Sequence, residues 1–227
     1  YEHYVNIMKT SPIDIVVEGN FDEDEIVEII SNGFDFHREN IIEIPRADFI
    51  KKVDEIKVIK EEMDITQGKL VMGYRCNVDY KDEFKYYSLF VGSNVLGGGP
   101  HSKLFVNVRE KESLCYYIYS SLEKYKTSMF ISSGIESENY DKTVELIGEQ
   151  LKSLKEGKIS DEELLNSKSA IISSLKTIKD SLGGSSDFYF SQSMGGTNTT
   201  VEKIIEMIEK VTVSDIVEAF KNIELDT

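Results

Sequence analysis

Residues 94–121, NVLGGGPHSKLFVNVREKESLCYYIYSS, read as a helix end, a glycine loop, a short helix, a tight turn and a strand. The three glycines Gly97, Gly98 and Gly99 let one helix stop and another start within a few residues. Pro100 and Ser102 suit the first turn of the second helix, and Leu104, Phe105 and Val108 mark its buried face. Beyond Glu112 the period changes to two, with Tyr116 and Ile118 on one side and Cys115, Tyr117 and Tyr119 on the other. Arg109 closes the helix and Tyr116 opens the strand, so the turn between them brings two polar heads to one spot.

Upstream, Leu70, Met72, Tyr74, Cys76, Val78 and Tyr80 alternate with Lys69, Gly73, Arg75, Asn77 and Asp79, and Val71 is the one large apolar residue on the second face. That is a strand buried on one face and wet on the other, which favours an antiparallel or mixed sheet. Phe84, Tyr87, Val91 and Val95 then recur at helical spacing and lead into the glycine loop. Downstream, the strand from Cys115 turns near Lys124 to Thr127 and returns through Met129, Phe130 and Ile131. Helical stripes follow: Tyr140, Val144, Ile147, Leu151 and Leu154, stopped by Gly157, then Leu164, Ile171, Leu175 and Ile178 behind a Ser160/Glu163 capping box. Gly183 and Gly184 are read as the break in that helix, and Gly195-Gly196 as the end of a short one around Phe188. Two closing helices carry Ile204, Ile205 and Ile208, and Ile216, Val217 and Phe220.

At the amino end, Ile13 to Val17 form a β-branched run, and an acidic helix start follows with Ile26, Ile29 and Ile30 as its buried stripe. The pattern breaks up from Asp35 to Asp64 around Pro45. Strands first and helices after predict an α+β fold, a two-layer sandwich of a mostly antiparallel sheet with helices packed on one face. The expected division is a strand-helix segment over 1–34, a linker over 35–64 and the main body over 65–227.

The 227 residues carry 41 acidic and 26 basic side chains, a net charge of −15. Such a surface repels phosphate and argues against nucleic acid and anionic membranes, while tolerating basic peptides. Acidity also simply keeps a protein soluble. No apolar run approaches a bilayer span and no signal peptide is evident, and Cys76 and Cys115 sit in apolar strand patterns that suit reduced thiols. A cytoplasmic setting is therefore expected. The chain opens on Tyr1 rather than Met, as expected of a piece of something longer.

Arg109 and Tyr116 are the sharpest candidates for chemistry. Attack on a peptide carbonyl builds negative charge on oxygen, which a guanidinium and a phenol are equipped to stabilise. The plainer reading makes Arg109 a helix cap and Tyr116 a core aromatic. The glycines fail the phosphate-loop pattern because Pro100 stands where Lys-Ser/Thr is required, which removes a nucleotide-binding reading; they suit a sharp turn and a close backbone approach by bound peptide. Arg75 and Asn77, on the wet strand face, are candidates for facing a peptide, against ordinary solvent exposure. Tyr116, Tyr117, Tyr119 and Tyr125 form either a substrate wall or core.

Residues 96–105, LGGGPHSKLF, followed by Arg109-Glu110-Lys111 and a Tyr seven positions after the Arg, resemble the second half of the insulinase/pitrilysin zinc metallopeptidases. Gln67-Gly68-Lys69-Leu70 and the GKISDEEL stretch at 157–164 are similar too, and the likeness runs from about Ser11 to the end. The resemblance implies an endopeptidase whose zinc and inverted HxxEH motif lie in another half or subunit, with Arg109 and Tyr116 reaching toward substrate there. His3, His37 and His101 do not reproduce that spacing, so no metal site is expected in this chain. Some members of the family lack the zinc motif and serve as assembly partners, which leaves a non-catalytic binding role as the rival reading. In the family each half ends on a helix and a strand, so the Ile13–Val17 strand is expected to belong to the preceding half, and to fill an empty sheet position or dock on a neighbour.

Overall fold

A computed structural model describes residues 1–34, 38–43, 45 and 51–227. The chain divides into two compact units, one comprising residues 1–47 and 178–196 and the other 48–177 and 197–227.

The larger unit is built on a four-stranded sheet. Its strands are β1 (Gly68–Arg75), β2 (Cys115–Glu123), β3 (Ser128–Ile135) and β4 (Glu224–Leu225), in the spatial order β2-β3-β1-β4 with every pairing antiparallel. One face buries Leu70, Met72, Tyr74, Ile118, Met129 and Ile131. Val71, Tyr117, Tyr119 and Phe130 are exposed on the other face. The α+β class and the single helical layer follow from that alternation. The buried run continues past β1 through Cys76, Val78 and Tyr80, although regular pairing with β3 stops at Arg75.

The helix Glu83–Gly97 packs on β2 at the centre of this layer. The sequence predicts a single buried stripe for it. Instead ten of its residues, including Tyr86, Leu89, Gly92 and Leu96, are buried, whereas Phe84 is exposed. A helix covered by the sheet on one side and by further helices on the others has no wet face to preserve. Those covering helices are Tyr140–Lys155, Asp161–Thr177, Val201–Lys210 and Val213–Phe220. Gly157, at φ 74°, ends the first of them, and the Ser160/Glu163 capping box opens the second through reciprocal bonds of 3.2 and 2.8 Å.

Two buried acids give this core an alkaline limit. Burial pushes the Cys76 thiol from its ordinary 9 up to about 12, and Tyr74 likewise to about 12. Above pH 9 the unfolded chain sheds the thiol proton while the folded chain keeps it, so stability is full below that pH and falls as pH rises toward 12. Each such group contributes up to about 1.4 kcal/mol per pH unit. Urea unfolding across this range will show the decline, with a slope one proton smaller in Cys76→Ala.

The smaller unit contains the helices Glu2–Thr10, Glu23–Gly33 and Leu182–Gly195. Three expectations fail in it. Residues 13–17 are not a strand and pair with no sheet, because this unit holds no other strand among its described residues to take up their N–H and C=O groups. The helix at 23–33 forms, with Asp22 accepting from the Glu25 amide at 3.0 Å, yet none of its residues is buried and Ile29 is 56% exposed. Gly183 and Gly184 do not break a helix either: the break falls at Ser181, whose hydroxyl caps the Gly184 amide at 3.2 Å, and both glycines lie in the first turn that follows. The sheet position expected to be empty is taken by the chain's own β4. Among the described residues no helix is long and apolar enough to cross a membrane.

Candidate functional site

The helix that carries Arg109 is wound as a π-helix over Phe105–Glu110, with the Lys111 amide reaching back five residues to Val106 at 3.1 Å. Such turns hold an extra residue and re-aim the side chains around it. Leu104 and Val108 are fully buried and fix the turn to the core. Arg109 is left at the rim, its guanidinium carbon 4.6 Å from the Phe105 ring centre, an arrangement that holds the side chain by cation–π attraction. Ser113, at φ 54°, then reverses the chain into β2.

β2 opens on a bulge. Cys115 pairs with Ile135 and Tyr117 with Gly134, so Tyr116 is the extra residue and its carbonyl is free of the ladder. Arg109 Nε donates to that carbonyl at 2.8 Å. The Tyr116 hydroxyl donates to Glu136 Oε1 at 3.0 Å, and the ring is 55% exposed. This hydrogen bond to a carboxylate is the main reason the phenol titrates above its ordinary range. The expected meeting of Arg109 and Tyr116 therefore occurs, through guanidinium and backbone rather than head to head, and Tyr116 is not a core aromatic. Around them lies an open hollow of about 500 Å³, lined also by Glu110, Ser113, Leu114, Cys115 and Asn139. Burial pushes the Cys115 thiol up, which keeps it a neutral part of the wall.

The other predicted site residues lie elsewhere. Gly97 is buried at the end of its helix, where a Cβ would stand 2.5 Å from the Ser120 amide of β2. The close approach that calls for glycine is thus helix against strand, and Ser120 Oγ donates to the Ser93 carbonyl at 2.6 Å across the same seam. Gly98 and Gly99 follow on the surface loop, where His101 Nε2 lies 3.3 Å from Asn94 Oδ1. Arg75 is ion-paired with Asp226 at 2.6 Å. Asn77, at φ 55°, donates to the Asn222 carbonyl at 3.1 Å and accepts from the Lys51 amide at 3.0 Å. Tyr117 and Tyr119 stack with ring centres 6.0 Å apart on the open sheet face. No three His, Cys, Asp or Glu side chains among the described residues gather as a ligand set. Glu136 is the residue that the motif reading overlooks.

Residues 1–171 match the family described as the Peptidase M16 inactive domain. The chain belongs to that family of zinc proteases, as one of its inactive domains. It is 35% identical over its whole length to the probable inactive metalloprotease YmfF of Bacillus subtilis, and covers 53% of that protein. A conserved protein from Enterococcus faecalis superposes with a TM-score of 0.80 at 31% identity, over 91% of this chain and 48% of that one. A protease from Helicobacter pylori shares the fold at a TM-score of 0.75 and 18% identity, over 92% and 51%. The chain thus spans about half the length of these relatives.

Proposed function

We propose that this chain is the non-zinc-binding half of a zinc metalloendopeptidase. It contributes one wall of the substrate chamber and sets Arg109 and Tyr116 against the carbonyl of a peptide held by a zinc-bearing half or subunit, its partner. The observation that carries the reading is the 2.8 Å bond from Arg109 to the bulged Tyr116 carbonyl, which fixes both residues on the rim of one open hollow. Charge developing on a carbonyl oxygen is stabilised by nearby hydrogen-bond donors, and a guanidinium and a phenol can serve as such donors. Residues 1–34 are taken as the end of the preceding half. In support, Tyr4, Ile7, Val27 and Ile29 stay exposed, as they would if their cover came from that half.

The likeness to a probable inactive metalloprotease of Bacillus subtilis favours a second reading, in which the chain only assembles with an active subunit. Reconstitution separates the two. The chain alone should leave a fluorogenic peptide uncut, and the mixture with a zinc-motif-bearing partner should cut it. Tyr116→Phe should lower kcat in the mixture about tenfold or more. Full activity of both Tyr116→Phe and Arg109→Ala would leave the assembly reading standing.

A further inference from the structure

Tyr116 sits on an exposed strand end, where an unsupported phenol swings between rotamers and its O–H rotates freely. A donor that must first be oriented loses much of its value to a transition state. Glu136 supplies the orientation. It leaves β3 directly after Ile135, the partner of Cys115, so the same bulge that frees the Tyr116 carbonyl aims the ring at this carboxylate. Glu136 is itself held, since it caps the turn Ser137–Asn139 and its carbonyl accepts from the Asn139 amide at 2.9 Å.

We propose that Glu136 is a positioning residue for Tyr116, resting on the reading that Arg109 and Tyr116 act on a peptide carbonyl. The phenol has one proton to donate. With the hollow empty it goes to Glu136; when a peptide oxygen gains negative charge, the O–H turns to that oxygen with the ring already in place, and no covalent bond is made or broken in this chain. Glu136 is the group hydrogen-bonded to the phenol, and the hollow around it is lined also by Asn139 from the turn after β3, Arg109 and Glu110 from the π-helix, and Cys115 on β2.

The first test needs no partner. The chain is labelled with 13C at tyrosine Cζ, the Tyr116 signal is assigned by its loss in Tyr116→Phe, and pH is raised from about 8 to 12. Tyr116 should titrate above an ordinary phenol in the wild type and fall back toward it in Glu136→Gln, the other tyrosine signals remaining in place as the check on folding. Identical titration of Tyr116 in the two proteins overturns the proposal. The second test uses the reconstituted peptidase. Glu136→Ala should lower kcat roughly threefold to tenfold with KM nearly unchanged, and Glu136→Gln, which keeps the acceptor, should retain most of kcat. If Tyr116→Phe and Arg109→Ala lower kcat and Glu136→Ala does not, the positioning role fails and the parent reading survives. If none of the three lowers it, both fail.

Discussion

Arg109→Ala should lower kcat/KM of the reconstituted peptidase about 10²- to 10³-fold, the loss seen when one preorganised oxyanion donor is removed. Two roles disappear together in that variant. On the proposed reading the guanidinium would no longer face the substrate oxygen, and the bulged Tyr116 carbonyl would lose the Nε donor that fixes it. Tyr116→Phe keeps the backbone link and removes only the phenol oxygen, so it should cost less. Arg109→Lys should behave more like alanine than like arginine, because an ammonium cannot reproduce the directed Nε bond while lying flat on Phe105. Steady-state rates for the three variants order these contributions. Equal rates for wild type, Arg109→Ala and Tyr116→Phe would remove the enzymatic account.

The largest loss of stability is expected from Phe220→Ala, at about 3–5 kcal/mol in urea unfolding. Phe220 is fully buried, and its ring fills the notch left by the missing side chain of Gly92, where a Cβ would lie 2.4 Å from Phe220 Cε2 and 2.7 Å from Ile216 Cγ2. Gly92→Ala alone should therefore overpack the seam and cost about 1–3 kcal/mol. In the double variant the new methyl enters the void that the ring has left. The combined loss should fall short of the sum of the two single losses, by about 0.5–3 kcal/mol. Strict additivity would show that the two residues do not meet.

Alternation made the sheet legible in advance: the face read from Leu70 through Tyr80 is the face that is buried, and the turn at Lys124 to Thr127 is where the hairpin turns. The convergence of Arg109 and Tyr116 was legible for a related reason, since seven residues of helix end and turn leave the chain little choice. Glu136 was not. The register set by Glu123 opposite Ser128 would put Tyr116 across from Ile135, and only the bulge, which leaves no mark in the residue types, shifts it beside Glu136. Periodicity also misread the amino-terminal region. A β-branched run has strand propensity, but pairing decides whether a strand exists, and Ile13 to Val17 have no neighbouring strand among the described residues of their unit. For Arg75 and Asn77, sequence alternation placed them on the polar face without revealing that Asp226, Asn222 and Lys51 engage them there.

Those last contacts bear on how the molecule is made. The flank of β1 is sealed by the final residues: the Asp226 amide donates to the Gly73 carbonyl at 2.8 Å, the Thr227 hydroxyl to the Lys57 carbonyl at 2.9 Å, and the Val53 amide to Glu224 at 3.1 Å. Every one of these bonds joins residues more than a hundred positions apart. A ribosome would release the hairpin and most of the helices while that flank still offered unpaired amides to any passing strand. Chains truncated before residue 224 should accordingly aggregate on refolding, and chains that include residues 224–227 should not.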